Sequence, residues 1–68
     1  MEEVTLYVIE TQEPPAQNIF RYNDELDATV AYFNAVAANY SALKAGSVEH
    51  FGIYLMNADL SIIKNEVK

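Results

Sequence analysis

The chain has 68 residues, 51% of them hydrophobic and 21% charged, which predicts one small folded domain and not an intrinsically disordered segment. It contains no cysteine and a single histidine, so disulfides, thiolate metal sites and histidine-rich metal clusters are excluded. Ten acidic residues against four basic ones give a net charge of −6, which opposes direct binding to nucleic acid or to an anionic membrane.

The first two predicted elements are β-strands at about residues 3–11 and 18–22. Residues 4–11 are rich in β-branched and aromatic side chains on both faces, which predicts a central strand. Two prolines in the segment 12–17 predict a hairpin loop, because proline lacks an amide donor. Arg21 in the second strand suits the edge of a sheet, where a charge deters pairing with other chains.

Helical periodicity follows from about residue 24 to residue 44, with Asn23 or Asp24 as the N-terminal cap and Gly46 as the stop. This helix carries two apolar stripes. We expect the bulky stripe to pack on the sheet; it comprises Leu26, Val30, Phe33, Ala37 and Tyr40, flanked by Val36 and Leu43. The alanine stripe either faces solvent or forms an alternative seam for another helix; it comprises Ala28, Ala31, Ala35, Ala38 and Ala42.

Two further strands are predicted at about residues 49–57 and 60–66, joined by the turn-prone segment Asn57-Ala58-Asp59. Lys64 again suits an edge. The element order β-β-α-β-β predicts an α+β domain with a four-stranded antiparallel sheet in the order 2-1-3-4. The two most apolar strands lie side by side in the middle, and the helix covers one face.

One helix leaves the other sheet face uncovered, and either face would be apolar. The pattern leaves open which face packs on the helix, since Leu6, Val8 and Ile53 are as apolar as their alternating neighbours. The uncovered face is our candidate interface, comprising Tyr7, Ile9, Tyr22, Tyr54, Met56 and Ile63, with Phe20 as the alternative to Tyr22.

Residues that carry chemistry are few. Gly46 and Gly52 are isolated, so no phosphate-binding loop is predicted, and His50 has no second ligand or orienting partner. We therefore expect no catalytic residue, no cofactor and no metal. The acidic start Met1-Glu2-Glu3 lacks the positive charge of a signal peptide, which favours a cytoplasmic protein.

Three segments form a recognisable pattern: Tyr7-Val8-Ile9-Glu10-Thr11-Gln12, then Tyr22-Asn23-Asp24-Glu25 with Ala28, and Ala31-Tyr32-Phe33-Asn34-Ala35-Val36-Ala37-Ala38. The pattern resembles small proteins of unknown function encoded on phages and mobile elements of gut-type Firmicutes. The chain departs from that group in its Pro14-Pro15 loop and in Phe33, where such sequences often carry histidine. The resemblance implies a phage or mobile-element origin and assigns no activity or functional residue.

These features predict a small acidic interaction module without catalytic activity. We expect it to form a homodimer, or to bind another protein, through the open apolar sheet face. The alternative is a phage-type inhibitor whose acidic surface blocks a basic, nucleic-acid-binding site on a host protein. One dense acidic surface would favour the inhibitor, whereas scattered acids would favour plain solubility.

Overall fold

A computed structural model describes residues 3–11 and 16–68 of the chain. The elements in these residues are β1 (Val4–Thr11), β2 (Ala16–Tyr22), α1 (Glu25–Ala45), β3 (His50–Met56) and β4 (Ile62–Val67). Of the predicted first loop, residues 12–15 lie outside the described residues, and Ala16 and Gln17 belong to β2.

The strands form one antiparallel sheet in the order β2-β1-β3-β4, which confirms the predicted α+β fold. The apolar strands β1 and β3 are central, and Tyr7 lies opposite Ile19 on one side and opposite Tyr54 on the other. Arg21 and Lys64 lie on the outer strands β2 and β4.

Both ends of α1 are closed by specific capping interactions. At the N-terminus, the Asp24 carboxylate accepts a hydrogen bond of 3.0 Å from the Leu26 amide. At the C-terminus, Gly46 has a φ of 82°, and its N–H donates to the carbonyls of Ala42 and Leu43. A side chain would be strained in this left-handed conformation, so glycine suits the end of the helix.

The helix packs on the sheet through the alanine stripe, so the orientation expected from the sequence is wrong. Ala28 is completely buried, and Ala31, Ala35 and Ala42 pack against the same core, while Ala38 is exposed. The predicted role of this stripe as an alternative seam for another helix is therefore also wrong. Leu26, Val30 and Phe33 of the bulky stripe point away from the sheet and are exposed, whereas the flanking residues Val36 and Leu43 pack against the core as expected.

The reason lies in the volume that the sheet supplies. Six apolar side chains face α1 from the central strands and are almost fully buried: Val4, Leu6, Val8, Phe51, Ile53 and Leu55. Small residues opposite such a surface allow the helix backbone to approach closely, whereas two bulky layers would hold the elements apart. The size of the side chains on a helix stripe therefore does not by itself predict which stripe is buried.

A polar residue, Asn39, also lies on the sheet-facing side of α1 and is buried. Its amide nitrogen donates to the Ala35 carbonyl at 2.8 Å. Its Oδ1 atom has no hydrogen-bond partner among the described residues. The alanines and Asn39 therefore share the sheet-facing side of this helix with Tyr32, Val36 and Leu43.

Two residues assigned to the uncovered face lie on the helix side instead. Tyr22 lies opposite Val4, and directly opposed residues point to the same face, so Tyr22 shares the helix side with Val4. Ile63 occupies a bulge: Leu55 lies opposite Lys64, but Met56 lies opposite Ile62. The extra residue turns Ile63 towards the core, against which it packs. For both residues the predicted placement on the open face is wrong.

The turn between β3 and β4 contains a strained residue. The Leu60 amide donates to the Asn57 carbonyl at 2.9 Å, and the Asn57 amide donates to the Ser61 carbonyl at 2.9 Å. Leu60 itself has a φ of 70°. Glycine and asparagine normally occupy such positions, because a Cβ atom is unfavourable there.

Candidate interaction surfaces

The face of the sheet opposite α1 is covered by no element of residues 3–11 and 16–68. We call it the open sheet face. From the strand register it comprises Thr5, Tyr7, Ile9 and Thr11 of β1, Gln17, Ile19 and Arg21 of β2, His50, Gly52, Tyr54 and Met56 of β3, and Ile62, Asn65 and Val67 of β4.

Two tyrosines form the centre of this face. Tyr7 and Tyr54 lie directly opposite each other on the central strands, and their ring centroids are 6.3 Å apart in an edge-to-face arrangement. The Tyr7 hydroxyl donates to the Gln17 side-chain oxygen at 3.0 Å. The Tyr54 ring lies over Gly52, where a Cβ atom would stand 3.0 Å from the Tyr54 hydroxyl oxygen. Gly52 therefore provides the space that the Tyr54 ring occupies.

The open sheet face carries almost no net charge although the whole chain has a charge of −6. The residues that the strand register places on this face include one base, Arg21, and no carboxylate. The Arg21 guanidinium nitrogen lies 3.7 Å from a carboxylate oxygen of Glu3, which precedes β1. The acidic residues of the described segments thus lie mainly away from this face.

The structure brings four of the six candidate interface residues together on this face: Tyr7, Ile9, Tyr54 and Met56. Three apolar residues of the face were missed, namely Ile19, Ile62 and Val67, and each is at least half exposed. The signal for Ile19 was the alternation of β2, because Ile19 has the opposite parity to Tyr22. The bulge that places Ile62 and Ile63 has no comparable signal in the sequence.

The bulky stripe of α1 is a second apolar surface. Leu26, Val30 and Phe33 have 74%, 61% and 55% of their surface exposed. These residues stand roughly opposite the buried side of the helix, at 100° per residue. Isolated exposed apolar residues need no explanation, but a continuous row of them on one helix does.

Contacts at one side of the bulky stripe connect α1 to β3 and β4. The Tyr40 ring packs edge-to-face on Phe51 with centroids 5.2 Å apart, and the Tyr40 hydroxyl donates to the Glu66 carboxylate. The Lys64 ammonium lies 5.9 Å from the Phe33 ring centroid, and the Lys68 ammonium lies 5.8 Å from the Tyr40 ring centroid. These cations lie beside the stripe without covering it.

Two tyrosines of α1 in this region have raised pKa values. The hydrogen bond to Glu66 is the main cause that raises the pKa of Tyr40, and the Lys68 charge lowers it in part. Burial is the main cause that raises the pKa of Tyr32, and the charge of Glu66 adds to the effect. Both tyrosines are held in the neutral form to a higher pH than usual.

Sites for small molecules are not observed in the described part of the chain. These residues form no pocket, and they contain no group of three or more His, Asp or Glu side chains placed to hold a metal ion. Within the same residues, no helix has the length and apolar character needed to cross a membrane.

Comparisons with protein families, with curated proteins and with solved structures found no match to this chain.

Proposed function

We propose that the protein is a small, non-catalytic interaction module that self-associates through the open sheet face, most simply as a two-fold dimer. The observation that carries this proposal is the uncovered, nearly neutral apolar surface centred on Tyr7 and Tyr54. Monomeric proteins seldom leave such a surface in water. Two-fold symmetry allows one patch to serve both partners.

Charge supports the choice of this face. Two copies of a chain with a net charge of −6 repel each other wherever their acidic surfaces approach. Among the described residues, the strand register places no carboxylate on the open sheet face, and Glu3, which precedes β1, is next to Arg21. At physiological ionic strength, charges on the far sides are screened over about 8 Å.

Geometry supports it as well. Two sheets pack face to face at about 10 Å, a distance that aromatic and branched side chains fill. Tyr54 and Tyr7 lie at the centre of the patch, where aromatic anchors contribute most to binding. Ile19 and Val67 extend it to β2 and β4. A specific interface of ordinary size buries about 800 Å² on each partner.

The test is the oligomeric state at about 100 μM, where a micromolar dimer is mostly assembled. We expect Tyr54→Asp to weaken association through this face by more than about 100-fold, because it places a carboxylate in an apolar contact. Ile19→Asp introduces the same charge on the exposed edge strand, where folding tolerates it. Asn18→Asp is the matched control, because Asn18 is exposed on β2 but faces the helix side.

Sedimentation measures the oligomeric state of each variant, and circular dichroism shows whether the variant is folded. A smaller assembly in Tyr54→Asp and Ile19→Asp than in the parent protein, but not in Asn18→Asp, supports the proposal. Unchanged association in folded Ile19→Asp contradicts it.

Acidic mimicry, the alternative drawn from the sequence, is less well supported by the distribution of charge. Two of the ten acidic residues, Glu2 and Glu13, lie outside the described residues. The others are distributed over separate parts of the fold: Glu3 before β1, Glu10 in β1, Asp24, Glu25 and Asp27 at the start of α1, Glu49 before β3, Asp59 in the turn and Glu66 in β4. Association that weakens steeply with added salt would favour this alternative.

A further inference from the structure

We infer that the bulky stripe of α1 binds a second copy of this chain in an antiparallel, two-fold helix pair. This interface is separate from the open sheet face, since the stripe points away from the sheet. The proposal therefore goes beyond the proposed function and is tested independently of it. Spacing, size and charge along α1 each support it.

The spacing of the stripe is that of a helix-pairing seam. Its residues are spaced alternately four and three positions apart, and the same spacing continues to Lys44. Such a repeat keeps one edge of a helix facing a partner helix over several turns. In α1 the repeat occurs on the exposed side, and of its large residues only Tyr40 packs on a core side chain of the described residues, Phe51.

Size complementarity indicates the antiparallel register. If Phe33 faces Ala37 of the second copy, the symmetry places Ala37 against Phe33 on the other side of the axis. The same register sets Val30 against Tyr40 and Leu26 against the aliphatic stem of Lys44. Large residues then meet small ones, as close packing requires, and the Lys44 ammonium remains in water.

Charge complementarity indicates the same arrangement. Glu25 and Asp27 occupy the first turn of α1, Lys44 occupies the last turn, and Lys68 lies over Tyr40 near that end. In the described residues, none of these four groups has an oppositely charged partner within 4.0 Å. An antiparallel pair brings the acidic start of each helix to the basic end of the other. A parallel pair would set acids against acids.

The decisive experiment compares oligomeric states in a Tyr54→Asp background, in which the open sheet face is blocked. We expect this variant to remain a dimer at about 100 μM. Adding Val30→Asp should weaken that dimer by more than about 100-fold, because two carboxylates would then enter an apolar contact. Adding Ala38→Asp is the matched control, since Ala38 is exposed on the same helix but does not belong to the bulky stripe.

The outcomes separate the two proposals. A dimer that Val30→Asp dissociates and Ala38→Asp preserves supports pairing through the bulky stripe. A monomeric Tyr54→Asp protein, or a dimer that folded Val30→Asp leaves intact, overturns it. Whether the open sheet face forms an interface is tested separately, with the single variant Val30→Asp. A Val30→Asp protein that is still dimeric retains that interface, and a monomeric one lacks it.

A charge exchange tests the antiparallel register. Lys44→Glu should weaken the dimer of the Tyr54→Asp background by about tenfold, because like charges then meet at both ends. Combining it with Glu25→Lys and Asp27→Lys restores opposite charges and should recover the association. Recovery supports the antiparallel pair. Failure to recover in a protein that retains its helical circular dichroism overturns the register.

Discussion

At the scale of single residues, the feature least expected from the sequence is Leu60. It lies in the β3–β4 turn with a φ of 70° and 71% of its surface exposed. A side chain in this conformation costs roughly 1–2 kcal/mol, and an exposed leucine recovers little of that by burial. The turn is held instead by its backbone bonds and by Asp59, whose carboxylate accepts from the Ser61 amide at 3.0 Å.

Replacing Leu60 by glycine should therefore stabilise the fold. We expect Leu60→Gly to raise the free energy of unfolding by about 1 kcal/mol, because glycine adopts a positive φ without the Cβ clash. Urea unfolding monitored by circular dichroism measures the change. Leu60→Ala is the control: it shortens the side chain but keeps the Cβ atom, so its stability should stay within about 0.5 kcal/mol of the parent. Equal stabilisation by both substitutions would show that strain is not the cause.

At the scale of elements, the orientation of α1 determines which residues form the core and which form a surface. Ala28 and Ala38 belong to the same alanine stripe, but Ala28 is fully buried and Ala38 is exposed. The same substitution at these two positions changes helix propensity to a similar extent. A difference in stability between the two variants therefore measures the packing of the helix on the sheet.

We expect Ala28→Leu to lower the free energy of unfolding by about 1–3 kcal/mol, because three extra heavy atoms must enter a filled space beneath the helix. Ala38→Leu should stay within about 0.5 kcal/mol of the parent. Urea unfolding at low protein concentration makes the comparison without interference from association. Similar losses at both positions would contradict the observed orientation.

The sequence predicted the element order and sheet order because alternation, proline, glycine and capping residues act locally. It did not predict the orientation of α1, because both sides of this helix are apolar and the choice depends on the volume of the sheet residues opposite. The residues of β1 and β3 that the sequence assigned to the uncovered face do lie on it, because alternation is regular in these strands. The assignment failed at Ile63, because a bulge shifts the parity of β4, and at Tyr22, because the assigned parity of β2 was wrong.

At the scale of the whole molecule, the fold is thin. Its Cα extents are 39 × 19 × 14 Å, and its radius of gyration of 12.0 Å exceeds the roughly 11 Å typical of a compact domain of this length. One helix on one sheet gives a core between two layers, so each layer keeps a second side in contact with water. Both candidate surfaces follow from that geometry. A protomer that used both of them would contact two neighbours and build assemblies larger than a dimer.

The alkaline stability of the molecule depends on the contacts that join α1 to β4. Burial and Glu66 raise the pKa of Tyr32, and the hydrogen bond to Glu66 raises the pKa of Tyr40. A group with a raised folded pKa stabilises the fold fully below its unfolded pKa, here about 10, and loses that contribution as the pH rises through the folded value. We therefore expect the free energy of unfolding to fall above about pH 10.

Tyr32→Phe isolates this effect, because it removes an ionisable group and keeps the ring. Urea unfolding between pH 8 and pH 11 should show a shallower decline for Tyr32→Phe than for the parent protein, with the two differing least at pH 8. Glu66→Gln removes the charge that contributes to both shifts, so absorbance titration of the tyrosines should then proceed at lower pH. Parallel declines in the parent and in Tyr32→Phe would contradict a raised pKa at Tyr32. An unchanged titration in Glu66→Gln would remove Glu66 as a cause.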